Sequence, residues 1–180
     1  MRQLPRRSPF LVLAFATVFA SACADSAPTD AYTDAARTSK GGAQTVQRPF
    51  TGSCTTNIHS AVPDQTGLTL DMTGVCHMSH LGRTTIVIHQ RCSFVDGSCE
   101  NSTVHTAANG DLLYGTFYSA PGQNMFDNVN AVFAGTSTIT GGTGRFSNAA
   151  GTAFANGTAK ADPVTGGFTG AYTFKGTIRY

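Results

Sequence analysis

From Phe50 to the end of the chain, apolar and polar residues alternate with period two, and no helical amphipathic stretch longer than two turns interrupts them. Successive side chains of a strand point to opposite faces, so this pattern predicts strands buried on one side, and the segment is read as all-β. Eight runs follow one another, at roughly 50–58, 67–80, 84–94, 102–108, 111–119, 129–140, 149–161 and 166–179. Gly, Asn, Asp and Pro stand between them. Asp96-Gly97 and Asn109-Gly110 supply the positive φ that a two-residue hairpin turn needs, and the connections are as short as antiparallel neighbours allow.

Alternation assigns the faces. In the second run Leu68, Leu70, Met72, Cys76 and Met78 share one side, with Asp71 and His77 opposite; in the eighth, Phe168, Tyr172, Phe174 and Ile178 lie opposite Thr169, Thr173, Lys175 and Arg179. A sheet of eight strands with one apolar face needs a cover, and the pattern offers no helix to provide it. A closed eight-stranded antiparallel β-barrel over residues 49–180 is therefore expected. A two-sheet sandwich is the alternative, because strand number and spacing fit both. Glycines within or at the edges of the runs, among them Gly52, Gly115, Gly135 and Gly157, favour the sharply bent strands of a barrel.

The first 48 residues are of another kind. Met1 to Arg7 is basic, Phe10 to Ala20 is an apolar run too short to span a bilayer, and Ala20-Ser21-Ala22 precedes Cys23. This reads as a signal peptide over 1–22. Residues 23–48 lack hydrophobic periodicity and read as a flexible tether. Ala20-Ser21-Ala22-Cys23 resembles the lipobox of bacterial lipoproteins, which implies lipidation at Cys23, an outer-membrane lipoprotein facing the periplasm or the cell surface, and membrane contact through that anchor alone. An ordinary signal-peptidase cut, giving a periplasmic or secreted protein, is the alternative. The whole-chain charge of +2 resides in the leader and tether, since residues 49–180 carry six Lys and Arg against seven Asp and Glu. Such a domain lacks the basic footprint of a nucleic-acid binder.

Ile139-Thr140-Gly141-Gly142-Thr143-Gly144-Arg145-Phe146, followed by Ala149, Ala150 and Gly151, resembles the GGTG-[RK]-F-x-x-A-x-G stretch of the allene oxide cyclase and dirigent superfamily. The remainder of the chain, from Gly151 to Tyr180, is similar to the closing strands of bacterial members. The resemblance implies a calycin-like eight-stranded barrel in which this segment joins two long strands. It also implies cofactor-free isomerase- or cyclase-like chemistry, or the holding of reactive intermediates, in an apolar cavity. No catalytic residue can be carried over from it. Physically, Gly141, Gly142 and Gly144 allow the positive φ of a compact turn, Phe146 re-enters an apolar environment and Arg145 sits at the rim. A phosphate cradle would require a helix after the loop, and a strand follows instead.

Cys23 apart, the cysteines form an even set. A first hairpin centred near residue 65 puts Cys54 opposite Cys76, and Cys92 and Cys99 flank the Asp96-Gly97 turn, so disulfides Cys54–Cys76 and Cys92–Cys99 are expected after export. Cys76-His77-x-x-His80, with His89 or His105, is the metal alternative. A spacing of three puts His77 and His80 on opposite faces of a strand, so no metal site is expected. Asp71, His89 and Arg91 are expected to meet solvent. Asn101-Ser-Thr and Asn156-Gly-Thr match glycosylation acceptors. Tyr114 and Tyr118, which share a face with Leu112, and Tyr172, which shares one with Phe174, are candidate polar groups of a cavity for a small hydrophobic ligand. The opposing expectation is a structural envelope protein with a filled barrel. The abundance of Phe together with Met72 and Met78 favours filling, whereas Ala153, Ala155, Gly157 and Ala159 on one face of the seventh run favour space.

Overall fold

The computed structural model describes residues 46–127, 129–161 and 167–180. The segment read as a signal peptide, Cys23 and all but the end of the segment read as a tether lie outside the described residues. The strands are β1 (Arg48–Pro63), β2 (Gly67–Met78), β3 (Gly82–Ser93), β4 (Cys99–Ala107), β5 (Leu112–Ser119), β6 (Asn124–Phe126), β7 (Asn130–Gly142), β8 (Ala150–Ala161) and β9 (Phe168–Arg179), with a 3₁₀ turn, η1, at Gly144–Phe146. All pairings are antiparallel, in the order β5-β4-β3-β2-β1-β9-β8-β7-β6, and β5 also pairs with β7. That last pairing closes an eight-stranded barrel of β1–β5 and β7–β9, and sets the sandwich aside.

The ninth strand is an addition to the sequence expectation. β6 pairs only with β7, between Asn124↔Phe133 and Phe126↔Ala131, beyond the point where Tyr118↔Thr136 ends the β5–β7 ladder. It resumes the line of β5 after the turn at Ala120–Gln123, where the Gln123 amide donates to the Ala120 carbonyl (3.1 Å). The first strand runs five residues further than expected, to Pro63, because a bulge between Ile58 and Ser60 shifts its register on β2. The extra residue moves the inward positions from even to odd numbers, so that Ala61 faces the cavity described below.

Alternation holds around the ring. Apart from Gly67 at the start of β2, buried positions are even in β1–β3 and β9 and odd in β4, β5, β7 and β8. The two expected disulfides, Cys54–Cys76 and Cys92–Cys99, are present. Each joins directly opposed residues of neighbouring strands, and all four sulfurs belong to buried residues.

One end of the barrel is filled. Phe146, Ile178, Leu113 and Ile86 are at most 2% exposed there, and Phe146 meets Tyr180 edge-on at 5.0 Å between centroids. Phe146 arrives there because the Gly141–Phe146 turn folds over the end between β7 and β8, as the sequence expected. Gly144 has φ 54°, and a Cβ on it would lie 2.1 Å from Asp111 Oδ1, so conformation and space both demand glycine. Gly142 has a different reason from the expected one: its φ is ordinary, but a Cβ would lie 2.2 Å from the Leu112 carbonyl oxygen. Arg145 lies over the Phe146 ring at 4.7 Å and donates to the His80 carbonyl (2.5 Å), half-exposed at the rim.

Candidate functional site

Above the packed end the barrel holds a cavity of about 290 Å³, close to the lower limit of small-molecule sites. Phe50, Met78, Leu113 and Ile139 line it nearest the packed end, and it reaches the opposite end among Ala61, Leu68, Phe126, Asp127 and Phe168. Phe126 is 62% and Phe168 38% exposed, which places the mouth at the end of the barrel where β1 and β8 end and β2, β7 and β9 begin. Ala131, Ala155, Ala159 and Gly170 supply the room along β7, β8 and β9.

The polar groups concentrate on one wall. Asn101, Thr103 and His105 occupy consecutive inward positions of β4, and Gln90 stands opposite Asn101 on β3. Asn101 Nδ2 donates to Gln90 Oε1 (3.3 Å), and Gln90 Nε2 donates to Cys92 Sγ (3.2 Å). Asn101 Oδ1 and His105 Nδ1 are buried and have no hydrogen-bond partner among the described residues. Buried polar groups are nearly always paired, so two orphans on one wall are notable. Burial alone pushes the His105 imidazole down to about 4, leaving it neutral at pH 7.

Tyr172 faces this wall. Going round the ring from Tyr172 through Cys54, Cys76 and Thr84 leads to Ala107 of β4. The opposite route, through Gly157 and Phe133, passes beyond the Cys99 end of that strand. β4 is the fourth strand from β9 in either direction, so the point straight across falls midway, near Asn101 and Thr103. Tyr172 meets Phe133 edge-on at 6.1 Å, and burial pushes its phenol up, keeping it protonated. No hydrogen bond reaches its hydroxyl among the described residues.

The three tyrosines of the sequence reading thus separate. Tyr172 lines the cavity. Tyr118 does not: the face it shares with Leu112 and Tyr114 is the outer one, because Leu113, Gly115 and Phe117 take the interior, and it is 53% exposed. Tyr114 lies on that outer alternation, half-buried, and reaches the lining where the β5–β7 register shifts between Tyr114 and Gly115. Among the histidines, His77 points outward, His80 Nε2 donates to the Pro49 carbonyl (2.7 Å), and Cys76 is committed to its disulfide. Asp71 and His89 are exposed as expected but paired at 2.5 Å, and Arg91 binds Asp64 at 2.8 Å. Asn101 is half-buried with its amide inside the barrel, which removes it as a glycosylation acceptor, whereas Asn156 is exposed.

Asn101, Thr103 and Gln90 were not among the sequence candidates for the cavity, and His105 was weighed only as a metal ligand. Run four has no apolar face to orient it. A signal was nonetheless present: counting by two from Cys99, whose disulfide turns it inward, reaches all three β4 residues. Comparisons with protein-family models, with curated proteins and with solved structures find no match to this chain.

Proposed function

We propose that this protein is a binding barrel for one small hydrophobic molecule. The observation that carries the reading is the coincidence, along the β4 wall of one apolar cavity, of two buried polar atoms that lack partners among the described residues. A barrel built only as a structural element gains nothing from desolvating His105, whereas a ligand site uses such groups to fix orientation. Cofactor-free isomerase- or cyclase-like chemistry extends the same proposal, with neutral His105 and the protonated Tyr172 phenol as the groups to carry proton transfer. A structural envelope role is the second reading, and the packed η1 end supports it.

Membership of the allene oxide cyclase and dirigent superfamily is part of the proposal, supported by eight antiparallel barrel strands and by the Gly141–Phe146 turn between β7 and β8. Export and anchoring at Cys23 are proposed likewise, and the two disulfides are consistent with an oxidising compartment.

Titration with the neutral fluorescent probe N-phenyl-1-naphthylamine tests the binding reading. One probe should bind per barrel and be displaced by material extracted from protein purified in its producing organism. Ala159→Phe, which fills the cavity wall, should abolish binding. Absence of probe binding to the wild-type barrel, with no retained small molecule in native mass spectrometry, would establish the filled structural barrel instead.

A further inference from the structure

The chemistry of the cavity wall narrows the class of ligand, on the premise that the barrel binds one. No Lys or Arg lines the cavity among the described residues, and its one carboxylate, Asp127, is at the mouth. There Asp127 already accepts from the amides of Val129 (2.7 Å) and Asn130 (2.5 Å). A charge of either sign brought to the level of His105 would be desolvated without a counter-charge, which is strongly unfavourable. A pure hydrocarbon would fit the apolar walls and leave the orphans on β4 as they are. A hydroxyl group fits both constraints. It is uncharged, and because it donates and accepts it can pair with either tautomer of a neutral imidazole and with either end of a carboxamide.

We propose that the cavity selects neutral, hydroxyl-bearing apolar molecules, aliphatic alcohols or phenols, over the corresponding carboxylates and ethers, with the hydroxyl seated on the Asn101–Thr103–His105 row and the apolar body against β8 and β9. Selectivity arises because an unpaired buried polar group opposes every ligand that lacks a donor, while the correct one relieves it. The hydroxyl of Tyr172, on the facing wall, offers a second polar contact to a ligand carrying oxygen at its far side.

Three probes of matched length decide it: 1-decanol, methyl nonyl ether and decanoate, each titrated into the full mature protein at pH 7.5 by displacement of the neutral fluorescent probe. Decanol should bind at least tenfold more tightly than the ether, a difference of about 1.4 kcal/mol, and decanoate more weakly than either. In His105→Phe and Asn101→Leu, checked for folding by circular dichroism, the decanol-to-ether ratio should fall toward one while ether binding persists. Equal binding of decanol and ether by the wild type, or decanoate as the tightest ligand, overturns the proposed selectivity and leaves the cavity as a general apolar site. Failure of the wild type to bind the fluorescent probe and all three compounds overturns the binding reading itself. The wild-type comparison stands even where a variant fails to fold.

Discussion

Acid lability should report directly on His105. His105 is 8% exposed, and burial lowers its imidazole from 6.5 to about 4. The unfolded chain begins to bind this proton as the pH falls through 6.5, and the folded chain does so only near 4. Stability from this group is therefore complete above about pH 6.5 and is lost progressively down to about 4. At about 1.4 kcal/mol per pH unit, the full displacement corresponds to about 3 kcal/mol. That is a large share of the roughly 5–15 kcal/mol by which a domain is stable. Carboxylates act in a separate window. Asp64, held down first by its hydrogen bond from Arg91, and Asp127, held down first by the Val129 amide, lose their contribution only below the ordinary carboxylate range. Urea unfolding of wild type and His105→Gln at pH 7.5, 6.5, 5.5 and 4.5 isolates the histidine. The wild type should lose about 2–3 kcal/mol more than the variant between the extremes. Parallel pH profiles, or an NMR titration of His105 with a midpoint near 6.5, would refute the argument that this ring is desolvated.

Three further outcomes follow from the packing. Replacing Cys54 and Cys76 together by Ala opens a loop with a sequence separation of 22, and chain entropy sets the loss at about 3 kcal/mol; for Cys92 and Cys99, separated by 7, it is about 2 kcal/mol. Thermal unfolding of the two variants should rank them in that order, and the reverse order would show that native-state contacts dominate. Phe146→Ala, at a residue with no exposure, should cost about 3–5 kcal/mol while leaving probe affinity in the surviving folded protein unchanged, because the ring does not line the cavity. Tyr118→Ser should alter stability by no more than about 0.5 kcal/mol and leave probe binding as it is, whereas Tyr172→Ala should weaken it; equal effects from the two would contradict the assignment of faces on β5 and β9.

The fold was legible because it rests on a local rule. Period two survives any closure, so the faces of β2 and β9 could be read directly from Leu68 to Met78 and from Phe168 to Ile178, and the pairing of Cys54 with Cys76 followed from simple hairpin symmetry. That symmetry holds only on the Cys54 side of the β1 bulge, and no residue at 58–60 signals the bulge. β6 escaped notice for a related reason. Three residues carry no period, and Asn124–Phe126 is a strand only because β7 extends past the end of β5 to receive it.

The site was less legible, since an interior position needs an orienting neighbour as well as alternation. Tyr118 and Phe117 are equally large and apolar in outline, and the register of β5 on β4, with Phe117 opposite inward Asn101, decides that Phe117 goes in. The same lack of orientation explains why a count of phenylalanines cannot choose between a filled and an open barrel. Of the twelve, Phe10, Phe15 and Phe19 precede the barrel strands, and Phe94, Phe126, Phe154 and Phe168 are 38–62% exposed. Too few remain inside to fill both halves. Phe146 helps to seal one end, while Ala155 and Ala159 line the cavity with little bulk; Gly157, between them, is covered by Tyr172 and Phe133 instead. Space and filling, which looked like rival readings of one sequence, therefore occupy different ends of the same barrel. The unpaired atoms of Asn101 and His105 both line the cavity, His105 at its floor beside Ile86 and Leu113 and Asn101 nearer the mouth, which is where a ligand would have to supply what the chain itself does not.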